Sequence, residues 1–140
     1  RKKDLVKLQH GEYISLGKVE SELKTCQIVE NICIYCDSTK TYCIALVQPA
    51  EKGLNDFSAT LGVTGTYSEL CKNPKVIRAA TTLIGEYGKT KKLNKFEIPT
   101  KVAFCEELWT PDSGLVTAAF KLKRKEVVAK YSDVIKKIYV

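Results

Sequence analysis

Residues 28–47 read IVENICIYCDSTKTYCIALV, two apolar runs around the polar quartet Asp37-Ser38-Thr39-Lys40. In the first run Ile32 and Ile34 recur every second residue, the period at which strand side chains share a face. The second run, 41–47, has the same character, so the pair predicts a β-hairpin that Pro49 closes. Upstream, residues 4–8 and 12–16 predict two shorter strands around a turn at His10-Gly11. Gly11 is suited there because it adopts positive φ without strain. Between the two hairpins, residues 17–25 predict a short helix with Val19 and Leu23 on one face.

Downstream the period changes. Leu54, Phe57 and Leu61 form one helical stripe, and Asn73-Pro74 is an N-cap followed by proline at the first helical position. Val76, Ile77, Ala80, Leu83, Ile84 and Tyr87 then form an amphipathic face, and Gly88 is the predicted stop. Residues 96–104 return to an extended pattern, with Pro99 placing them near an edge or bend. A final helix over about 123–138 buries Val127, Tyr131, Val134, Ile135 and Ile138. Hairpins and helices without a regular βαβ repeat define an α+β domain. The one long loop, 106–120, carries Trp109, Pro111 and Gly114, and such a loop in a compact domain is commonly functional.

The 140 residues suit one domain. Hydrophobic content of 44% supports a globular core, and 28% charged residues argue against a membrane-embedded one. No apolar run approaches the roughly 20 residues that cross a bilayer. The opening Arg1-Lys2-Lys3-Asp4 is not a signal peptide, and the absence of any Met predicts a piece of a longer protein. The formal charge of +7 favours anionic partners, with the cations concentrated in 89–95 and 121–130. Of six cysteines, Cys33 and Cys36 have zinc-site spacing, but strand alternation points them to opposite faces. The expectation is therefore buried, reduced thiols and no metal site.

The segment WTPDSGLVTAAFKLKRK, residues 109–125, joins turn residues and hydroxyls to a sudden cation cluster. Lys121 stands where the loop meets the final helix. A lysine on a mobile loop can be carried to an anionic substrate and stabilise developing charge. The plain alternative is a solvated lysine before an amphipathic helix.

Residues 1–20, RKKDLVKLQHGEYISLGKVE, and 114–126, GLVTAAFKLKRKE, carry a family resemblance. Between them NICIYCDS (31–38), ELCKNP (69–74) and KFEIPTKV (95–102) follow in the same order. Together these resemble the C-terminal domain of adenylate-forming enzymes, nearest the eukaryotic long-chain fatty-acid–CoA ligases. The resemblance implies short hairpins and a small mixed sheet packed by helices. It implies that residues 1–140 are one lid domain beginning at an inter-domain hinge, whose partner is an N-terminal adenylating domain of the same chain. The implied reaction joins fatty acid, ATP and CoA through an acyl-adenylate, with Mg2+ held alongside that N-terminal domain. Lys121 matches the adenylation lysine, Arg1 a nucleotide contact, and Lys3 the hinge residue. Gly11, Glu12 and Tyr13 match the turn lining the CoA path, and Lys7 is a second-step candidate on the same strand. The implied setting is cytosol-facing, on the endoplasmic reticulum or another organelle membrane, with membrane contact only through the full-length protein. The fragment alone is expected to be inactive, since GVTGT (62–66) lacks the lysine of a phosphate-binding loop.

Two positions depart from the family pattern. His10 stands where a small residue is usual, and Ala118 where an acidic one is frequent. Lys7 also reads as a solvated strand residue, Glu20 as a helix-surface or salt-bridging one, and Trp109 as packing for its loop. A basic nucleic-acid-binding module is the main alternative, although the strands offer Ile34, Tyr35 and Tyr42 without the Lys/Arg-Gly-Phe/Tyr run of sheet-based RNA readers. A lysine-rich peripheral membrane module is a third reading, set against the final helix's need to turn its apolar face to the core.

Overall fold

The computed structural model describes residues 5–9, 11–37, 39–119 and 121–139. Two short strands, β1 (Leu5–Lys7) and β2 (Tyr13–Ser15), pair antiparallel and lead into α1 (Leu16–Leu23). The predicted hairpin follows as β3 (Val29–Cys36) and β4 (Cys43–Pro49). Three helices come next: α2 (Glu51–Thr60), α3 (Tyr67–Lys72) and α4 (Pro74–Thr90). Then come β5 (Lys101–Phe104), α5 (Arg124–Lys130) and α6 (Ser132–Ile138).

β3, β4 and β5 form one mixed sheet, with β4 central, antiparallel to β3 and parallel to β5. Helices on both faces explain why all seven residues of β4 are buried, and why CIALVQP is nearly continuous in its apolar character. Along β3 the alternation sorts side chains between layers. Ile32, Ile34 and Cys36 face α1 and α4 with Val19, Leu23, Ala80 and Ile84. Cys33, with Ile44 and Leu46 from β4, faces Trp109, Leu115, Val127 and Ile135. A third cluster, Leu54, Leu70, Cys71 and Val76, joins α2, α3 and α4.

The caps follow the sequence. Asn73 accepts the N–H groups of Lys75 and Val76, and Pro74 opens α4. Thr66 and Glu69 form a reciprocal capping box at α3. Gly11 has φ +96°, as its turn required.

Several expectations are corrected. α4 continues past Gly88 to Thr90, and the positive φ falls on Lys92 (φ 64°). Gly88 is buried because Ile98 packs where a side chain would go, 3.1 Å from the position of a Cβ. Residues 96–98 are not extended: Asn94 caps a turn by accepting the N–H groups of Phe96 and Glu97, and only 101–104 form a strand. The final helix is two helices, broken at Tyr131 (φ −105°, ψ 23°). Cys36 and Cys43, paired across β3 and β4, form a disulfide, whereas Cys26, Cys33, Cys71 and Cys105 are free and buried. The expectation of wholly reduced thiols thus fails at one pair. Among the described residues no His, Cys, Asp or Glu cluster is gathered to hold a metal. No helix among them is long and apolar enough to cross a membrane.

Candidate functional site

The segment between β5 and α5 is fixed at its base and free at its tip. Trp109 is 2% exposed; its backbone N–H donates to Gln48 Oε1 (3.4 Å) and its indole N–H to the Tyr131 hydroxyl (3.3 Å). The ring thus anchors the loop instead of presenting a stacking face. Thr110 and Ser113 exchange hydrogen bonds around the next turn, and Gly114 turns the chain at φ +79°. Leu115 and Val116 are buried, and Val116 bridges Leu122 antiparallel. Thr117 N–H donates to the Lys121 carbonyl (2.8 Å), while Lys121 N–H donates to Thr117 Oγ1 (3.1 Å). Lys121 therefore stands exposed at the mouth of a closed loop, its backbone bonded on both sides. A cationic tip on a fixed base can meet an anion without the loop refolding.

The base extends into the domain through Arg124, three residues after Lys121. Its Nη2 donates to Glu20 Oε1 at 2.7 Å, and its Nη1 donates to Glu20 Oε2 and to the Ile34 carbonyl (3.0 Å). Glu20 Oε2 also accepts the Ile34 N–H (2.7 Å). Of the two expectations for Glu20, helix surface or salt bridge, it is the second that the structure shows. Such a forked, part-buried pair is among the stronger polar contacts in proteins. On the same helix Lys18 reaches buried Glu97 (3.1 Å), which itself accepts Asn94 N–H.

The second set of expected residues lies at the first hairpin. Lys7 is exposed opposite Tyr13, with its ammonium 5.7 Å from the ring centroid. Gly11, Glu12 and Tyr13 are all exposed, Tyr13 by 58%. The turn is held by Leu8 N–H donating to the Glu12 carbonyl and Gly11 N–H to that of Leu8. Gln9 N–H donates to the Lys40 carbonyl (3.0 Å), tying this turn to the β3–β4 connection. Lys7, Gly11, Glu12 and Tyr13 therefore share one surface. Arg1, Lys3 and His10 lie outside the described residues.

The buried thiols are chemically quiet. Burial pushes Cys33 and Cys105 up to about 12, with the Glu20 carboxylate adding to the rise at Cys33. Cys71 rises to about 11, again through burial. None has the depressed pKa of a nucleophile.

Sequence reading missed Arg124 as a distinct element of this region. The only available signal was a forked guanidinium among lysines in KLKRK, the residue type suited to bidentate carboxylate pairing.

No family profile matches the chain. Its sequence is 44% identical over 140 residues to long chain acyl-CoA synthetase 8 of Arabidopsis thaliana, covering 99% of this chain and 19% of that protein. It is 36% identical over 142 residues to long-chain-fatty-acid–CoA ligase 1 of Schizosaccharomyces pombe, covering 99% of the chain and 21% of the relative. The fold is similar to the A-PCP didomain of a carboxylic acid reductase from Segniliparus rugosus, solved with AMP: TM-score 0.83 at 24% identity, over 100% of this chain and 18% of that one. A Mycobacterium tuberculosis fatty acyl CoA synthetase is more distant, with TM-score 0.57 at 18% identity, over 96% of this chain and 21% of that one. The shared architecture is a small α+β fold that occupies about a fifth of each of these larger chains. Nearly the whole chain aligns with one segment of eukaryotic long-chain fatty-acid–CoA ligases. It spans about a fifth of the length of these relatives.

Proposed function

We infer that this chain is the mobile C-terminal domain of a long-chain fatty-acid–CoA ligase, acting with an N-terminal adenylating domain of the same protein. The observation that carries the reading is the alignment of 99% of the chain with such ligases, joined to an exposed lysine on a closed loop within the motif that resembles theirs. In the proposed reaction, fatty acid and ATP form an acyl-adenylate and pyrophosphate, and the CoA thiol then displaces AMP. The Lys121 ammonium approaches the carboxylate and α-phosphate in the first step. Both groups are anionic, so a cation placed between them offsets their repulsion and stabilises the charge that develops.

The first hairpin serves the second step. Gly11, Glu12 and Tyr13 line the pantetheine path, and Lys7 stands beside it over the Tyr13 ring. Arg1 contacts the nucleotide, and Lys3 is the hinge at which the two arrangements interchange. In this reading Mg2+ accompanies the nucleotide and is held with the remainder of the longer protein. The nucleic-acid alternative finds no support among the relatives described above. Placement on an organelle membrane belongs to this reading only through the full-length protein.

The test separates the half-reactions in the full-length enzyme. Lys121→Ala slows pyrophosphate exchange by about 10²-fold or more, the scale of losing one transition-state charge contact. It leaves acyl transfer from preformed acyl-adenylate to CoA at the wild-type rate. Equal loss in both half-reactions would reject the assignment.

A further inference from the structure

α1 is held on two sides by ion pairs. Lys18 pairs with Glu97, and Glu20 takes both arms of the Arg124 guanidinium. The second pair joins residues 104 apart in sequence. At one end is the helix that directly continues the first hairpin; at the other is the first residue of α5, three after Lys121. The pair is part-buried, with side-chain exposures of 23% for Arg124 and 12% for Glu20. It is also built into the sheet edge: the Ile34 N–H donates to Glu20, and Arg124 donates to the Ile34 carbonyl. One peptide position of β3 thus contributes a donor and an acceptor to the same network. Four hydrogen bonds between fixed groups define the direction in which the chain leaves α5 toward Lys121.

The 700 Å³ cleft beside Gln48 and Trp109 carries the carboxylates of Glu30, Glu51 and Glu106, but its buried Gln48 is already hydrogen-bonded to Asn31 and Trp109. The smaller cleft beside Tyr139 is likewise satisfied, since that hydroxyl is bonded to the backbone of Tyr35, Asp37 and Tyr42. Neither aims a buried, unpaired polar side chain at a ligand among the described residues.

We propose that Glu20 and Arg124 are positioning residues for adenylation: their forked pair fixes the root of the Lys121 loop to α1, so that the hairpin surface and the ammonium move as one body. This rests on the reading of Lys121 given above. Neither residue touches substrate; each acts through the lysine. The Lys121 backbone is closed only locally, on Thr117. The pair ties that closed loop to α1, beside the bond that Arg124 makes to the Ile34 carbonyl of β3. A misplacement of about 1 Å at a charged contact can reduce rate by about 10²-fold.

The experiment uses the full-length enzyme with Arg124→Ala, Arg124→Lys, Glu20→Gln and Lys121→Ala, and Arg124→Ala combined with Lys121→Ala. Pyrophosphate exchange reads adenylation, and acyl transfer from preformed acyl-adenylate reads the second step. Thermal unfolding checks each variant. Arg124→Ala is expected to lower kcat for adenylation by about 10- to 100-fold, with KM for ATP little changed and acyl transfer intact. Arg124→Lys keeps the charge but loses the fork, so it falls between Ala and wild type. It carries the test if Arg124→Ala does not fold. In the Lys121→Ala background, Arg124→Ala adds no further loss, because its effect passes through that ammonium. Losses equal in both half-reactions, or additive with Lys121→Ala, would overturn the positioning role alone. An Lys121→Ala enzyme with undiminished adenylation would instead remove the reading on which the proposal rests.

Discussion

Replacing Gly53 with alanine sets two effects of opposite sign against each other. Gly53 lies in the first turn of α2, where alanine would gain up to about 1 kcal/mol from helix propensity. The backbone, however, runs against the turn between α1 and β3. A Cβ on Gly53 would stand 2.1 Å from the Gln27 carbonyl oxygen and 2.9 Å from its carbon. The obstacle is main chain, so no rotamer change relieves it. Separating the two requires α2 to shift against the Cys26–Val29 turn and strains the bond from Ala50 N–H to the Ile28 carbonyl (2.9 Å). Overpacking of this kind costs about 1–3 kcal/mol, and the upper part of that range applies to a backbone obstacle. The net expectation for Gly53→Ala is a loss of about 1–2 kcal/mol, or about 3–8 °C in Tm for a chain of this size. Gly85→Ala is the internal control. There a Cβ meets only Ile98 Cγ2 at 3.6 Å, ordinary contact, in the middle of α4. That variant should gain about 0.5–1 kcal/mol. Urea titration followed by Trp109 fluorescence, with matched thermal scans, measures both. If Gly53→Ala proves as stable as wild type, or the two variants shift in the same direction, the steric argument is wrong.

Three further outcomes are expected. Trp109→Ala removes a 2%-exposed ring from the layer beneath the Lys121 loop and should destabilise by about 3–5 kcal/mol in chemical denaturation; a loss under 1 kcal/mol would show that the loop is not anchored there. Native protein should react slowly with a thiol reagent; denaturation without reductant should release four reactive thiols, Cys26, Cys33, Cys71 and Cys105, while Cys36 and Cys43 react only after reduction. Stability should be insensitive to these thiols below about pH 9 and fall between about 9 and 12. Burial raises the folded values of Cys33 and Cys105 to about 12 and of Cys71 to about 11, above the ordinary 9.0, so the neutral folded form is favoured until the unfolded thiols ionise. Replacing the three cysteines together by alanine should flatten that alkaline decline in unfolding free energy.

The parts of the fold legible in sequence are those fixed by local pattern. The β3–β4 hairpin, the Asn73-Pro74 start of α4 and the positive-φ turn at Gly11 depend on period, capping and steric freedom that a few adjacent residues display. Contacts distant along the chain were not legible. Cys36 and Cys43 meet only because the hairpin register places them opposite one another, and composition gave no hint of that pairing. The glycine at 88 looked like a terminator because such residues commonly end helices, but its bare backbone is instead used to admit Ile98, and Lys92 supplies the left-handed turn. The parallel alignment of β5 on β4 depends on how three helices pack back across the sheet, information spread over residues 50–100. At the candidate site, Lys121 was conspicuous through its sequence context, whereas the Glu20–Arg124 fork could not be read from residues so far apart. The break at Tyr131 was hidden because a helical stripe continues smoothly through it; Val127 and Ile135 remain on one face despite the interruption.

The division of the core into separate clusters has a consequence for how the molecule opens. The layer that includes Trp109, Leu115, Val127 and Ile135 makes its apolar contacts with one side of the sheet, while α1 and α4 grip the other. Amide exchange should therefore resolve two cooperative units, with α5 and α6 releasing before α1, β3 and β4. In that partially opened form Cys33 and the indole ring would meet solvent while the first hairpin and its helix stay assembled. The lysine-bearing arm would come loose from an otherwise intact body, and breathing of that layer would limit how long the arm stays poised.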